Sequence, residues 1–520
     1  MKKLTRTGVA VASLLGAGAA VAIVNQFGDL QRVDAVHDAA FTARVDQFAI
    51  RIADFDEVFE AGDIFFDTTF NALDGGGANV GRGQRFTRIP RADLRGPGEW
   101  FNHLPERATG PNAAACTDCH REPGDGAGPA GSNVHRDPLR NGNLSQFIQR
   151  NTPHLFGGGA IQVLAEEMTE TLHAQRDSAR QQACFRGSAR QDLSAKGISF
   201  GEIKANRRFG FPCQVTFDTS DVEGVAADLI VRPFQWKGSV ATVRDFVRGA
   251  SHNELGVTPD ELLADPNADS DGDGIVSEAT VGDMTALAFY IAAQPRPTTL
   301  LELNSLNLLN PPLTTAEISK INRGAAVFAS NSSRCNRCHV SQLTVTDPVF
   351  FEPSQNPNYR DATLPGGGNP LIAGLDPVFA NKFDFTTDLP DNPTLVPGGT
   401  TLGNFKRDSQ RRAIVQLYGD LKRHNMGSGL AESIDEVNTG AATFLTENLW
   451  GVGSTAPYLH DGRATTLAEA IMEHGGEARD SASFFKAALD SHRSNPSDTR
   501  APDLIAFLEN LVLFFAEEEE

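Results

Sequence analysis

Apolar residues along this chain recur at helical spacing more often than they alternate, and the helical stretches carry start and stop signals. Ile161 to His173 reads as a helix entered from Gly157, Gly158 and Gly159. Thr242-x-x-Asp245 and Thr466-x-x-Glu469 are capping-box patterns, each opening a helix. After the second, Leu467, Ile471 and His474 lie at i, i+4 and i+7 and share one apolar face. Met472 sits about half a turn away and faces elsewhere. Gly475 and Gly476 stop that helix. Residues 29–110 form a Phe-rich lead-in, expected to be mostly helical and broken at Gly75, Gly76 and Gly77. The stretch 347–404 is rich in Pro, Gly and Asn and too long for a plain connector. It is expected to wrap the surface or shape an entrance.

Two segments repeat one pattern. Trp236-Lys-Gly-Ser-Val-Ala-Thr242 leads into Val243, Val247 and Ala250. His460-Asp-Gly-Arg-Ala-Thr-Thr466 leads into Leu467, Ile471 and His474. Each opens with an aromatic ring two residues before a glycine, and Ala250 occupies the place that His474 holds in the second copy.

The 520 residues allow two or three domains. A formal net charge of −20 disfavours nucleic acid and anionic membrane surfaces as partners and suggests basic groups on a docking protein. Lys2, Lys3 and Arg6 precede an uncharged run, Gly8 to Val24, with Ala20-Val21-Ala22 as a small-x-small site. Residues 1–22 therefore read as a secretory signal, cleaved rather than kept as an anchor. No later stretch is long and apolar enough to span a bilayer. The expected location is the bacterial periplasm or the exterior.

Six cysteines divide into two groups. Cys116-Thr-Asp-Cys119-His120 and Cys335-Asn-Arg-Cys338-His339 are both CxxCH motifs. Two cysteines three apart form thioethers to both haem vinyl groups, and the adjacent histidine reaches the iron. The spacing thus implies two haems c with His120 and His339 as proximal ligands. Zinc or a redox disulfide is the competing reading of CxxC, opposed by the adjacent histidines. The remaining Cys184 and Cys213 are either buried thiols or, as expected in an oxidising compartment, a disulfide.

The repeat makes the two haems unequal. His474 stands where a sixth ligand to the second haem belongs, whereas Ala250 cannot bind iron. The second haem is expected to be closed by two histidines, and the first to be open. His474 as a capped surface histidine at a helix end is the plainer alternative. The expected organisation is a signal peptide at 1–22, an N-terminal extension at 23–110, a first haem c domain at 111–297 and a second at 298–520, with Pro295 and Pro297 at the boundary. The expected class is mainly α: two cytochrome c-like domains, long loops and a helical N-terminal extension.

With these residues in view, the chain resembles the bacterial di-haem cytochrome c peroxidase superfamily, most of all its branch of di-haem oxidoreductases. The strongest match is Leu449-Trp-Gly-Val-Gly-Ser-Thr-Ala-Pro-Tyr-Leu-His460-Asp-Gly-Arg, with His474-Gly-Gly-Glu after it. Trp236-Lys-Gly, Asn253-Glu-Leu-Gly-Val-Thr, Asp283-Met-Thr-Ala-Leu and Tyr418 to Gly427 support it. In the superfamily's cytochrome c peroxidases the position of His474 is methionine; histidine there is like rubber oxygenase relatives. The resemblance implies that the first haem takes hydrogen peroxide, or dioxygen, at its open side. It implies that Trp236 relays electrons between the haems and that a carboxylate downstream of it acts as acid and base. Glu254 is nearest, with His252 beside it, at an offset that differs from the cytochrome c peroxidases. A small electron-donor protein, a cytochrome or a copper protein, is the implied partner. His135, fifteen residues after His120, lies near where some relatives block the resting iron. His424 and Met426 compete with His474 as ligands but lack its repeat.

Asp269, Asp271, Asp273 and the carbonyl of Ile275 match the first half of an EF-hand loop, with Gly274 at the sixth position. A calcium ion there needs Glu278 or Asp283 in place of the usual glutamate, since Thr280 holds position twelve. Other readings are oxygenase cleavage of a polymer, oxidation of a partner protein, and simple electron transfer.

Overall fold

The helix-spaced segments fold as helices in the computed structural model, which describes residues 44–71, 74–76, 105–108, 111–122, 128–129, 133–141, 143–208, 210–270, 274–388, 395–396 and 400–514. The expected signal at 1–22 and much of the extension at 23–110 lie outside these residues. The helices are α1 (Gln47–Ile50), α2 (Phe55–Asp67), α3 (Gly158–Arg186), α4 (Val243–Ala250) and α5 (Val281–Ala292). They continue with α6 (Leu300–Ser305), α7 (Thr315–Phe328), α8 (Leu467–Glu473), α9 (Arg479–Ser494) and α10 (Arg500–Glu509). None of them is long and apolar enough to cross a membrane.

α3 outruns its expected end at His173 because 174–186 is dominated by the helix formers Ala, Gln and Arg. It stops at Gly187, whose φ of 89° favours glycine. Helix makes up 36% and strand 16%, so the class is mixed rather than purely helical. Most strands are short two-stranded ladders, among them β1 (Val134–Arg136) against β2 (Ile148–Arg150). The exception is an antiparallel sheet of β3 (Ser188–Ala195), β4 (Ile198–Arg208) and β5 (Gln214–Asp218). Ile198, Phe200, Ile203 and Ala205 are the buried positions of β4, an alternation interrupted at Gly201. Cys184, at the end of α3, is disulfide-bonded to Cys213 at the foot of β5 with a Cα–Cα distance of 6.0 Å.

The larger apolar core joins α2, α3, α4 and α5. Phe55, Phe59, Phe289, Tyr290 and Phe383 meet in it, the Phe289 and Phe383 centroids 5.1 Å apart. Phe350, Tyr359, Phe383 and Phe385 show that the 347–404 stretch does more than wrap: these four aromatics are buried in this core, across the expected boundary at 297. Close approach of α2 to α5 depends on Gly62, where a Cβ would lie 2.2 Å from the carbonyl oxygen of Ala286.

A smaller core holds α7, α8, α9 and α10 through Phe328, Leu467, Phe485, Leu504, Phe507 and Leu508. Gly324 lets α7 meet α10, where a Cβ would stand 1.9 Å from Asp503 O. Beside that crossing, Arg323 grips the Asp503 carboxylate with two bonds of 2.8 and 2.9 Å.

Candidate functional site

The second CxxCH motif sits at the edge of the smaller core. Cys335 to Arg337 form one tight turn after α7, and Cys335 packs against the apolar cluster. His339 is held by Nδ1, which bonds Tyr418 O at 3.0 Å. His474 is held in the same way, Nδ1 to Ala470 O at 2.7 Å. With Nδ1 committed to a carbonyl, each ring offers Nε2 as its free electron pair, the usual arrangement of a metal-binding histidine. Burial lowers both rings' tendency to protonate, His339 to about 4, with His474 the next contributor. Neutral imidazole is the form that binds iron. Cys335, Cys338, His339 and His474 all line one cavity of about 250 Å³, walled by Phe328, Leu467, Ile471, Leu504 and Leu508. The donor set and apolar wall fit a haem c with two axial histidines.

The helix carrying His474 ends one residue earlier than its spacing suggests. α8 stops at Glu473 and His474 caps it in extended conformation, yet the ring still reaches the cavity. Thr466 and Glu469 close a full capping box, and Met472 is exposed, facing away. His424 donates or accepts at both nitrogens, 2.9 Å to Asp420 and 2.8 Å to Glu477, which leaves neither for iron. Met426 lines the cavity without such a commitment of its side chain. Cys338, Asp420 and His424 bring potential metal donors within 4.8 Å of one another. A Cys338 thioether to haem removes one of the three.

At the first motif, Cys116 to Asp118 form a tight turn, capped by Asp118, which accepts from Ala114 N at 2.7 Å. Cys116 and Cys119 pack against the larger core, and the His120 ring lies 6.4 Å from Phe66. The disulfide takes none of the four motif cysteines, as covalent haem attachment requires. Thr242 caps α4 from Asp245 N at 3.0 Å. Val243 and Val247 are buried, and Ala250 is half-buried. Unlike α8, α4 runs on through a wide turn, Ser251–Leu255, that ends at Gly256.

This wide turn carries Glu254 and His252. The Glu254 backbone carbonyl accepts from Asn112 N and Ala113 N at 2.8 and 3.2 Å, on the strip leading into Cys116. Its carboxylate accepts from the Asn112 amide and pairs with Arg136 at 3.5 Å. Burial pushes this carboxyl above the ordinary carboxylate range, with Arg136 opposing. His252 is buried, its nitrogens 3.1 Å from Pro105 O and 3.4 Å from Thr258 Oγ1. His135 lies in β1, its Nδ1 buried and without a hydrogen-bond partner among the described residues. Trp236 donates its indole N–H to Asn151 O at 2.9 Å and lines the cavity of His339 and His474.

The repeat is structural as well as textual. Phe234 bridges Val240, as Tyr458 bridges Ala464. Gln235 and Gly238 have positive φ, as have Leu459 and Gly462. Thus Trp236 and His460 occupy equivalent turns, and both line the second cavity. Phe444 and Glu447, which carry no sequence signal, also gather here. His460 stacks on Phe444 at 4.2 Å, and Glu447, raised to about 7 by burial, faces the same space.

Of the calcium loop, Asp271 and Asp273 lie outside the described residues. Asp269 accepts from Gly274 N at 3.0 Å. The two substitutes are employed elsewhere: Asp283 closes the capping box of α5, and Glu278 accepts from Thr258 N at 2.6 Å.

Two CxxCH turns, one sharing its cavity with His474 and the other reached by the 112–116 strip that bonds the Glu254 carbonyl, fit the class of di-haem c oxidoreductases. Residues 390–511, which contain His474, match the family described as "Di-haem oxidoreductase, putative peroxidase". No curated protein matches the chain. A solved structure, "Crystal structure of a MauG-like protein associated with microbial copper homeostasis", aligns with 68% of this chain and 87% of its own at 16% identity, with a TM-score of 0.25.

Proposed function

We propose that this chain is an exported di-haem peroxidase that reduces hydrogen peroxide at the first haem site with electrons passed through the second. The observation that carries this reading is the asymmetry of the repeat: His474 reaches the second cavity, and Ala250 stands in its place in the first half. Cys116, Cys119 and His120 would hold one haem, and Cys335, Cys338, His339 and His474 the other. When bound, the haems would supply redox-active iron to an oxidant at the first site and to electron transfer at the second.

Glu254 is the acid and base of this reading. As a carboxylate it takes the proton from the near oxygen of peroxide, and as the acid it returns it to the far oxygen as the O–O bond breaks. Its raised affinity for protons favours the acid half of that transfer. Overall, one hydrogen peroxide takes up two electrons and two protons and yields two waters. Trp236, on the wall of the second cavity, lies on the electron route. A small cytochrome or copper protein with basic groups suits the acidic chain as donor.

The test is steady-state peroxide reduction by the holoprotein with a reduced cytochrome as donor. E254Q is expected to lower turnover by about 100-fold or more, within the usual span of acid–base catalysis. Turnover unchanged in E254Q, or product formed from dioxygen without peroxide, contradicts the reading.

A further inference from the structure

A buried chain of alternating charges runs from Glu254 to the residue after Trp236. Arg136 Nη1 is 3.5 Å from Glu254, and its Nε is 2.9 Å from Glu436. The other Glu436 oxygen lies 2.8 Å from Arg150, which also pairs with Glu432. Lys237 Nζ is 3.7 Å from Glu432 and donates to Gly440 O at 2.7 Å. Three carboxylates and three cations thus form one neutral series. Its exposure falls from 27% at Glu254 to 2% at Glu432 and Lys237.

The ribbon explains how the cations come together. Val134 pairs with Arg150 across β1 and β2, so Arg136, two residues on from Val134, shares a face with Arg150. Two neighbouring cations on a largely buried face require carboxylates, and the 432–436 turn supplies them. Among the described residues, Arg136 acts on Glu254 in direct contact and Glu436 acts from behind it; Asn112 is a further polar partner.

We infer that Arg136 is a positioning residue for Glu254, holding its carboxyl beside the 112–116 strip, and that Glu436 sets how much of the Arg136 charge Glu254 receives. This rests on the reading of Glu254 as the acid and base. Through this chain, a turn from the second half of the sequence tunes an acid at the first haem site. Removing Arg136 makes Glu254 harder to ionise; removing the Glu436 charge makes it easier.

The experiment uses the holoprotein and its R136Q, R136K, E436Q and E254Q variants. Two readouts are taken against pH: the stopped-flow rate of the peroxide reaction, and the ferric spectrum of the first haem without peroxide. R136Q is expected to move the acid limb of the rate up by about one pH unit, a tenfold loss on that limb. R136K restores most of it, and E436Q moves the limb down. The spectral titration follows in the same directions. A limb unmoved in folded R136Q, or one that E436Q leaves in place or raises, overturns the inference. E436Q keeps the test open where R136Q fails to fold. A limb lost in E254Q but fixed in the other variants sinks only the positioning role. Full turnover in E254Q sinks the acid–base reading, and this inference with it.

Discussion

His339 and His474 line one cavity, and each commits Nδ1 to a backbone carbonyl, of Tyr418 at 3.0 Å and of Ala470 at 2.7 Å. The two rings come from elements 135 residues apart in sequence, yet both are fixed by main-chain acceptors that fix their tautomer. That is the preorganisation expected of two ligands on one iron.

Replacing His474 tests that relationship. H474M is expected to convert the second haem from two histidines to a His/Met pair and raise its reduction potential. H474A is expected to open it to exogenous ligands such as imidazole. Potentiometry of the folded variants checks both. A second-haem potential unchanged in H474M means that another residue is the sixth ligand.

Trp236 is expected to matter for electron passage rather than for folding. Its indole N–H bonds Asn151 O at 2.9 Å, an interaction W236F removes at a cost of about 1 kcal/mol. Transfer between the haems, followed by stopped-flow after mixing half-reduced protein with peroxide, should slow by about tenfold or more. An unchanged rate removes the tryptophan from the route.

The disulfide staples the three-stranded sheet to α3. Closing a loop across 29 residues is worth about 3–4 kcal/mol by the loop-entropy estimate. C184S with C213S is expected to lower the urea midpoint accordingly while both haem spectra stay the same, because neither cysteine touches a haem motif.

His154 predicts a fall in stability in mild acid. Its Nε2 meets Trp450 O at 2.9 Å, and burial lowers its protonation from 6.5 to about 4. Above pH 6.5 folded and unfolded chains are both neutral there. Between 6.5 and about 4 only the unfolded chain takes up the proton, so stability is lost across that window. Unfolding by urea at pH 7.5 and pH 5 should show an acid loss smaller by about 1–2 kcal/mol in H154Q. An equal loss in both proteins excludes the role.

What could be read beforehand was local. CxxCH, the capping boxes and the i, i+4, i+7 face of α8 each lie within one or two turns of chain, so spacing alone places Cys335, His339 and His474. The Arg136 network lay beyond such reading, since Arg136 meets Glu436 across 300 residues and no short pattern marks the pair. The sheet at 188–218 was hidden differently: its alternation holds at Ile198 and Phe200 and breaks at Gly201 before resuming at Ile203. The Phe350, Phe383 and Phe405 side chains sit among Pro and Gly residues that read as surface, and only tertiary packing shows them to be core.

The two haem sites are expected to differ, the second closed by His339 and His474 and the first left open opposite His120. EPR of the ferric holoprotein at low temperature tests this difference most directly. One low-spin signal of a bis-histidine haem beside one high-spin signal, or a weak sixth ligand displaced by peroxide or cyanide, is the predicted result. Two low-spin signals that neither ligand perturbs in any redox state would contradict it.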